Sequence, residues 1–238
     1  MNTPIEIDTT IIAQPIKRHA LTYADNPQPR CPVVLLLDCS SSMAGQPIAE
    51  LNEGLRQFLT ELSSDPIASM SVELAVITFG AEVKLLQSFK LIGAETQGPT
   101  ITLHASGSTP LGAAIRLGLD EIRQRRKFYS RQGVACFHPW MVILTDGQPN
   151  DDWAPPAAEA RSIAEKGRLN LLGVGIGLAV DMRTLASIVP ADPGALRLKG
   201  LRFAAFFRWL SDSLRLSTGG STVDNRKAPN PSNYGWNI

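Results

Sequence analysis

The chain predicts an α/β fold, a doubly wound, mostly parallel sheet with one antiparallel edge strand and helices on both faces. Val33-Val34-Leu35-Leu36-Leu37 is an unbroken apolar run bounded by turn formers, the pattern of a strand buried on both faces of a parallel sheet. Similar runs recur at 140–145 and 169–176. Between them lie segments whose apolar residues repeat every three to four positions, so strand and helix alternate along the chain.

The elements follow in order. Residues 1–31 read as an N-terminal extension punctuated by Pro4, Pro15, Pro27 and Pro29, with Ile5-Glu6-Ile7-Asp8 alternating like a short strand. After the strand at 33–37, a helix starts near Pro47, proline being tolerated at the first helical position. Ile48, Leu51, Leu55, Phe58, Leu59 and Leu62 share its buried face. Val72 to Phe79 reads as a strand, and Gly80-Ala81-Glu82 turns it into Val83-Lys84-Leu85-Leu86, an antiparallel partner at the sheet edge. Residues 93–108 form a polar loop leading to Thr109. Leu111, Ala114, Ile115, Leu119 and Ile122 mark the next helix. Arg123, Arg125, Arg126 and Lys127 are read as its end, suited to the negative pole of the helix or to a basic partner patch. Pro155 and Pro156 open a helix that ends near Gly167, Asp181 caps a short one, and Phe203, Phe206, Phe207, Leu210 and Leu214 line a last amphipathic one. Residues 218–238 read as a flexible tail by composition, ending in Tyr234-Gly235-Trp236-Asn237-Ile238, which either packs on its own domain or docks on a partner. The expected division is therefore extension 1–31, domain 32–217 and tail 218–238.

The chemistry concentrates directly after the first strand, in Asp38-Cys39-Ser40-Ser41-Ser42-Met43. The C-terminal ends of strands are where open α/β sheets place ligands. Asp38, Ser40 and Ser42 alternate, so one carboxylate and two hydroxyls offer hard oxygens to one point, a donor set suited to magnesium. Two further segments join it: Gly107-Ser108-Thr109-Pro110-Leu111-Gly112, a tight loop opening a helix, and Val142-Ile143-Leu144-Thr145-Asp146-Gly147, a buried strand ending in an acid.

Together, Asp38-x-Ser40-x-Ser42, Thr109 and Asp146 resemble the metal-ion-dependent adhesion site of von Willebrand factor A domains. Met43 to Ile48, Ser108 to Ala114, Thr145 to Trp153 and Phe206-Phe207-Arg208-Trp209-Leu210 are similar to the bacterial tellurium-resistance, TerY-like branch of that family. The resemblance spans about residues 30–217. It implies a Rossmann-like fold, with Ser40, Ser42 and Thr109 as hydroxyl ligands and Asp38 and Asp146 as direct or water-bridged ones. The implied ion is Mg2+, with Mn2+ as its substitute, and its open position favours an Asp or Glu from a protein partner. The implied role is non-enzymatic: an interaction module of a bacterial intracellular stress or signalling assembly. The partner that the resemblance implies is a PP2C-type phosphatase or a Ser/Thr kinase. Ser41 stands where many relatives carry glycine, and the chain has no Cys-x-x-Cys pair for the zinc segment that some relatives add.

Composition limits the alternatives. A 44% hydrophobic content supports a real core, and a formal net charge of +1 gives no global attraction to nucleic acid or membrane. Cys31, Cys39 and Cys136 are too few for a disulfide framework and read as free thiols of a reducing compartment. The first residues lack a basic start and apolar segment, and no stretch approaches the ~20 apolar residues of a membrane helix, so the expected location is cytoplasmic.

Other readings of single residues stay open. Thr109 before Pro110 also fits a helix N-cap. Asp151 and Asp152 fit loop caps and rim charges better than ligands. Cys136-Phe137-His138 supplies too few donors for a soft-metal site, and Gly173-Val174-Gly175-Ile176-Gly177 lacks the spaced third glycine of a dinucleotide loop. A magnesium-dependent phosphatase would use Asp38 as nucleophile, but the position two residues on, where such an enzyme places a general acid, is Ser40. A scaffold that binds through its C-terminal tail is the remaining alternative.

Overall fold

The computed structural model describes residues 26–94, 101–178, 180–192, 194–218 and 229–235. The short strand expected at Ile5–Asp8, most of the extension, and Trp236 lie outside the described residues. The strands are β1 (Cys31–Asp38), β2 (Val72–Phe79), β3 (Val83–Leu91), β4 (Trp140–Thr145), β5 (Asn170–Ile176) and β6 (Ala195–Leu198). The helices are α1 (Gln46–Ser64), α2 (Ala68–Ser71), α3 (Leu111–Gln132), α4 (Ala154–Glu165), α5 (Met182–Ile188) and α6 (Phe203–Thr218).

Among the described residues the strands form one sheet in the order β3-β2-β1-β4-β5-β6. All neighbours are parallel except β3, which runs antiparallel to β2 at the edge. Its alternating half-buried and exposed residues are those of an edge strand with one face covered. β1 is buried throughout because both sides are covered. Val33, Leu35 and Leu37 pack with Leu55 and Phe58 of α1 and Phe203, Phe207 and Leu210 of α6. Val34 and Leu36 pack on the other side with Ile115 and Leu119 of α3 and Leu185 and Ile188 of α5. This alternation explains why the first strand is an uninterrupted apolar run.

Strand order reverses between β1 and β4, each of which continues into a different helical layer. The crevice beyond their C-terminal ends is the topological switch point, and the loops after Asp38 and Thr145 meet there.

Four elements differ from the sequence expectation: α2 (Ala68–Ser71) is an addition of one short turn, and β3 runs on to Leu91 rather than ending at Leu86. β6 is an addition: four residues, Ala195-Leu196-Arg197-Leu198, too short for periodicity to reveal and held by parallel pairing to β5. α3 runs on to Gln132, so Arg123, Arg125, Arg126 and Lys127 lie inside the helix, and Arg131 alone is basic in its last turn. The pole interaction assigned to that cluster is thereby corrected, since the macrodipole acts within the last turn. At the other end of the chain, residues 229–235 pack on α6: Trp209 Nε1 donates to the Pro229 carbonyl at 2.7 Å and the Tyr234 hydroxyl to Asp212 at 2.8 Å. No helix among the described residues is long and apolar enough to cross a membrane.

Candidate metal centre

Asp38 is the last residue of β1 and fully buried. One carboxylate oxygen accepts the backbone N–H of Ser40 at 2.8 Å, which folds the following loop back over the strand end. The other accepts the hydroxyl of Thr145 at 2.6 Å. Thr145 is the member of this cluster to which sequence reading gave no role. Leu37 pairs with Leu144 in parallel register, so one step on, Asp38 and Thr145 end neighbouring strands side by side. That register is a three-dimensional fact, although a hydroxyl immediately before Asp146 was a signal for it.

The loop places Ser40 and Ser42 together as their alternation suggested. Their hydroxyl oxygens are 3.0 Å apart, and Ser42 donates to a carboxylate oxygen of Asp146 at 2.8 Å. Ser42 has a single proton, so Ser40 is the donor between the two serines. Ser40 is buried, while Ser42 is open to solvent. Ser41 faces solvent, and Cys39 lies against the core, where burial and then the charge of Asp38 push its thiol up to about 12. Its side chain packs with the core, and the donors facing the crevice are oxygens.

The second loop is tied to the first by backbone hydrogen bonds from Ser106 N to the Cys39 carbonyl (2.7 Å) and from Ser41 N to the Gly107 carbonyl (3.0 Å). Gly107 has φ +77°, and a Cβ there would lie 2.2 Å from the Cα of Ala81, so only glycine fits this approach. The third loop joins the second through Asn150 N and the Thr109 carbonyl at 3.1 Å. Thr109 is itself buried, and its hydroxyl lies 3.0 Å from where a Cβ on Gly147 would sit. The small residue after Asp146 thus leaves room for that hydroxyl beside the acid.

Thr109 does not cap α3. The helix opens at Leu111 without a cap from its own preceding side chains, and Asp151 reaches across from the third loop instead. Its two carboxylate oxygens accept Gly112 N at 2.9 Å and Ala113 N at 2.8 Å. This satisfies two orphan amides and places a negative charge at the positive helix pole. Asp151 is a cap, then, and Asp152 is an exposed rim charge.

Burial is the main cause that raises Asp38 above the ordinary carboxylate range. Hydrogen bonds from Ser40 and Thr145 pull it back, and the nearby charge of Asp146 adds to the rise. Among the described residues neither Asp38 nor Asp146 has an ion-pair partner. The five sequence candidates therefore converge from three loops, as two carboxylates and three hydroxyls without a protein cation. No cluster of three or more His, Cys, Asp or Glu side chains among the described residues has the geometry of a metal site. What remains is a hydroxyl-rich set suited to a hard divalent cation, which the two carboxylates would neutralise. All three cysteines are free thiols.

The sequence model of the von Willebrand factor type A domain matches residues 33–199. Inter-alpha-trypsin inhibitor heavy chain H1 of Sus scrofa is 25% identical over 169 residues, covering 64% of this chain and 17% of the relative. The same protein of Bos taurus is 25% identical over 165 residues, with the same coverage. The chain thus spans 17% of the length of these relatives. Among solved structures, the vWF domain of the type V pili tip protein Mfa5 from Porphyromonas gingivalis has a TM-score of 0.61 at 11% identity, covering 84% of this chain and 99% of that one. Proximal thread matrix protein 1 from the mussel byssus, in a form with a zinc-occupied MIDAS motif, has a TM-score of 0.52 at 17% identity, covering 78% of this chain and 48% of that one. At these identities the structural likenesses speak to the fold alone.

Proposed function

The chain belongs to the von Willebrand factor type A domain family, and from that premise we propose that it is a metal-dependent protein-interaction module. The observation that carries this reading is the convergence of Asp38, Ser40, Ser42, Thr109 and Asp146 at the switch point with no protein cation to balance the two acids. Ser40, Ser42 and Thr109 would hold the ion by their hydroxyls and Asp146 by its carboxylate. Asp38 orients the loop through Ser40 N and would add its negative charge to the ion's surroundings. A bound Mg2+, or Mn2+ in its place, would supply an electrophilic centre for an anionic oxygen of a partner's Asp or Glu. The three neutral hydroxyls leave the ion's charge for that partner, and the loops around it set which partner fits.

The residue pattern near the site supports a place in the TerY-like branch, and with it a cytoplasmic bacterial stress or signalling assembly. A PP2C-type phosphatase or a Ser/Thr kinase is the partner in this reading. A non-enzymatic role is supported by Asp38 itself. A phosphatase nucleophile must reach substrate, whereas Asp38 is fully buried with both oxygens engaged, and Ser40 is no general acid. The packing of Tyr234 on α6 favours the metal site over the tail as the binding element.

Affinity capture from native lysate in magnesium tests the reading. Wild type should retain a phosphatase or kinase that EDTA and Asp146→Ala both release, with the variant's circular dichroism unchanged. Equal capture of the same protein by the folded variant would overturn it.

A further inference from the structure

The basic run inside α3 divides in space. Arg125 turns inward to Glu73 at 2.6 Å, and Arg123 is occupied by Asp120 and Glu159. Arg126 and Lys127 instead line an open groove of about 370 Å3 between α3, the end of α4 and the turn before β5, where Arg168 joins them. These three cations are exposed and have no ion-pair partner among the described residues, and no carboxylate lines the groove. Its floor is apolar: half-buried Ile163 above Leu119, Ile122 and Leu169, which are 2%, 6% and 4% exposed. In a chain of net charge +1, this is a local excess of positive charge over an apolar trough.

Pro139, at the entrance to β4, also lines the groove, which therefore lies toward the N-terminal ends of the strands, away from the metal centre. The geometry points to a second docking surface here, for an acidic peptide segment of a protein partner that carries aliphatic side chains between its Glu or Asp residues. The aliphatic side chains fill the trough and the carboxylates meet Arg126, Lys127 and Arg168. A phosphodiester backbone would satisfy the cations and leave the floor uncovered, so the trough favours peptide over nucleic acid. Surface cations at such a rim act mainly on specificity and association rate. Because its residues are separate from the metal donors, this surface stands or falls independently of the metal-dependent reading.

The test uses the full chain and a fluorescein-labelled peptide of alternating Glu and Leu, followed by polarisation at low salt in EDTA. Saturable binding is expected, with an all-Glu peptide of equal charge and the Arg126→Glu/Arg168→Glu variant each weaker by about tenfold. Asp146→Ala should bind as wild type does. Circular dichroism confirms the double variant's fold, and Arg126→Gln alone should give a smaller loss in the same direction. Equal affinity for the all-Glu peptide, displacement by a single-stranded oligonucleotide of equal charge, or indifference to charge reversal would overturn the proposal. So would self-association of wild type that the double variant abolishes, which would assign the groove to a second copy of the chain.

Discussion

Glu73, near the start of β2, and Asp38, at the end of β1, are buried carboxylates on adjacent strands, 2% and 0% exposed. Their surroundings differ in kind. Glu73 receives Arg125 at 2.6 Å, the Tyr129 hydroxyl at 2.5 Å and Arg30 at 3.6 Å, so two guanidinium groups and a phenol balance one charge. Burial and the Glu73 charge in turn hold the Tyr129 phenol protonated far above its usual range. Asp38 receives one amide and one hydroxyl, and a second acid lies nearby. A buried charge without a counter-charge is costly, and proteins keep one where something else supplies the balance. The N-terminal end of the sheet therefore reads as structure, and the C-terminal end as a seat for a cation.

The largest effect that would break this contrast lies at Glu73. Glu73→Ala removes the acid that Arg30, itself 3% exposed, shares with Arg125, and leaves Arg30 its hydrogen bonds to the Asn26, Gln28 and Met70 carbonyls. Breaking a buried pair in this way costs about 3 to 5 kcal/mol. Urea unfolding should show that loss with no change in how magnesium acts. A loss below about 1 kcal/mol would mean the network behaves like a surface pair.

At the other end the expected dependence is on the ion. With magnesium at a hundredfold excess over its Kd, linkage stabilises the wild type by about 2.7 kcal/mol, seen as a raised Tm that EDTA reverses. Asp146→Ala should lose that rise while leaving the Glu73 network untouched. A magnesium response retained in full by the variant would remove Asp146 from the ligand set. Phosphoester turnover by the wild type in magnesium would turn the site from recognition to catalysis.

Between these lies Asp151, which connects the third loop to α3. Asp151→Ala frees the amides of Gly112 and Ala113, for an expected stability loss of about 1 kcal/mol. Because the same loop carries Asp146, a weaker magnesium-induced Tm rise should accompany it. An unchanged magnesium response would show that Asp146 is positioned without the cap.

Much of the C-terminal end of the sheet was legible in the sequence because its signals are local. Asp38, Ser40 and Ser42 follow a continuous apolar run at alternate positions, and Asp146 follows another. The structured N-terminal end was not, because the partners of Glu73 lie 43 (Arg30), 52 (Arg125) and 56 (Tyr129) residues from it in the chain. Glu73 sits in Val72-Glu73-Leu74-Ala75-Val76, where period-two reading marks it as a solvated face, and Arg125 lies in a run that reads as helix-end charge. Only packing α3 across the sheet brings them together. Asp151 was legible as a cap, but its recipient, a helix that begins 40 residues earlier in the sequence, was not.

The smallest expected change is the most discriminating. Asp38→Asn removes a buried charge while an amide can still accept from Ser40 N, and the Thr145 hydroxyl can rotate to accept. If Asp38 is structural in the manner of Glu73, metal-free stability should fall by several kcal/mol. If it is a site awaiting a cation, metal-free stability at neutral pH should stay within about 1 kcal/mol of wild type or rise, while the magnesium-induced Tm increase disappears. The pH dependence gives the same test a sign. Burial raises the folded-state pKa of Asp38, so its protonated form contributes stability that is complete below the unfolded value, about 3.9, and lost as pH rises through the raised folded value. Metal-free wild type should show that loss on going from acid toward neutral, Asp38→Asn should lack it, and magnesium should restore at neutral pH what the proton supplies in acid.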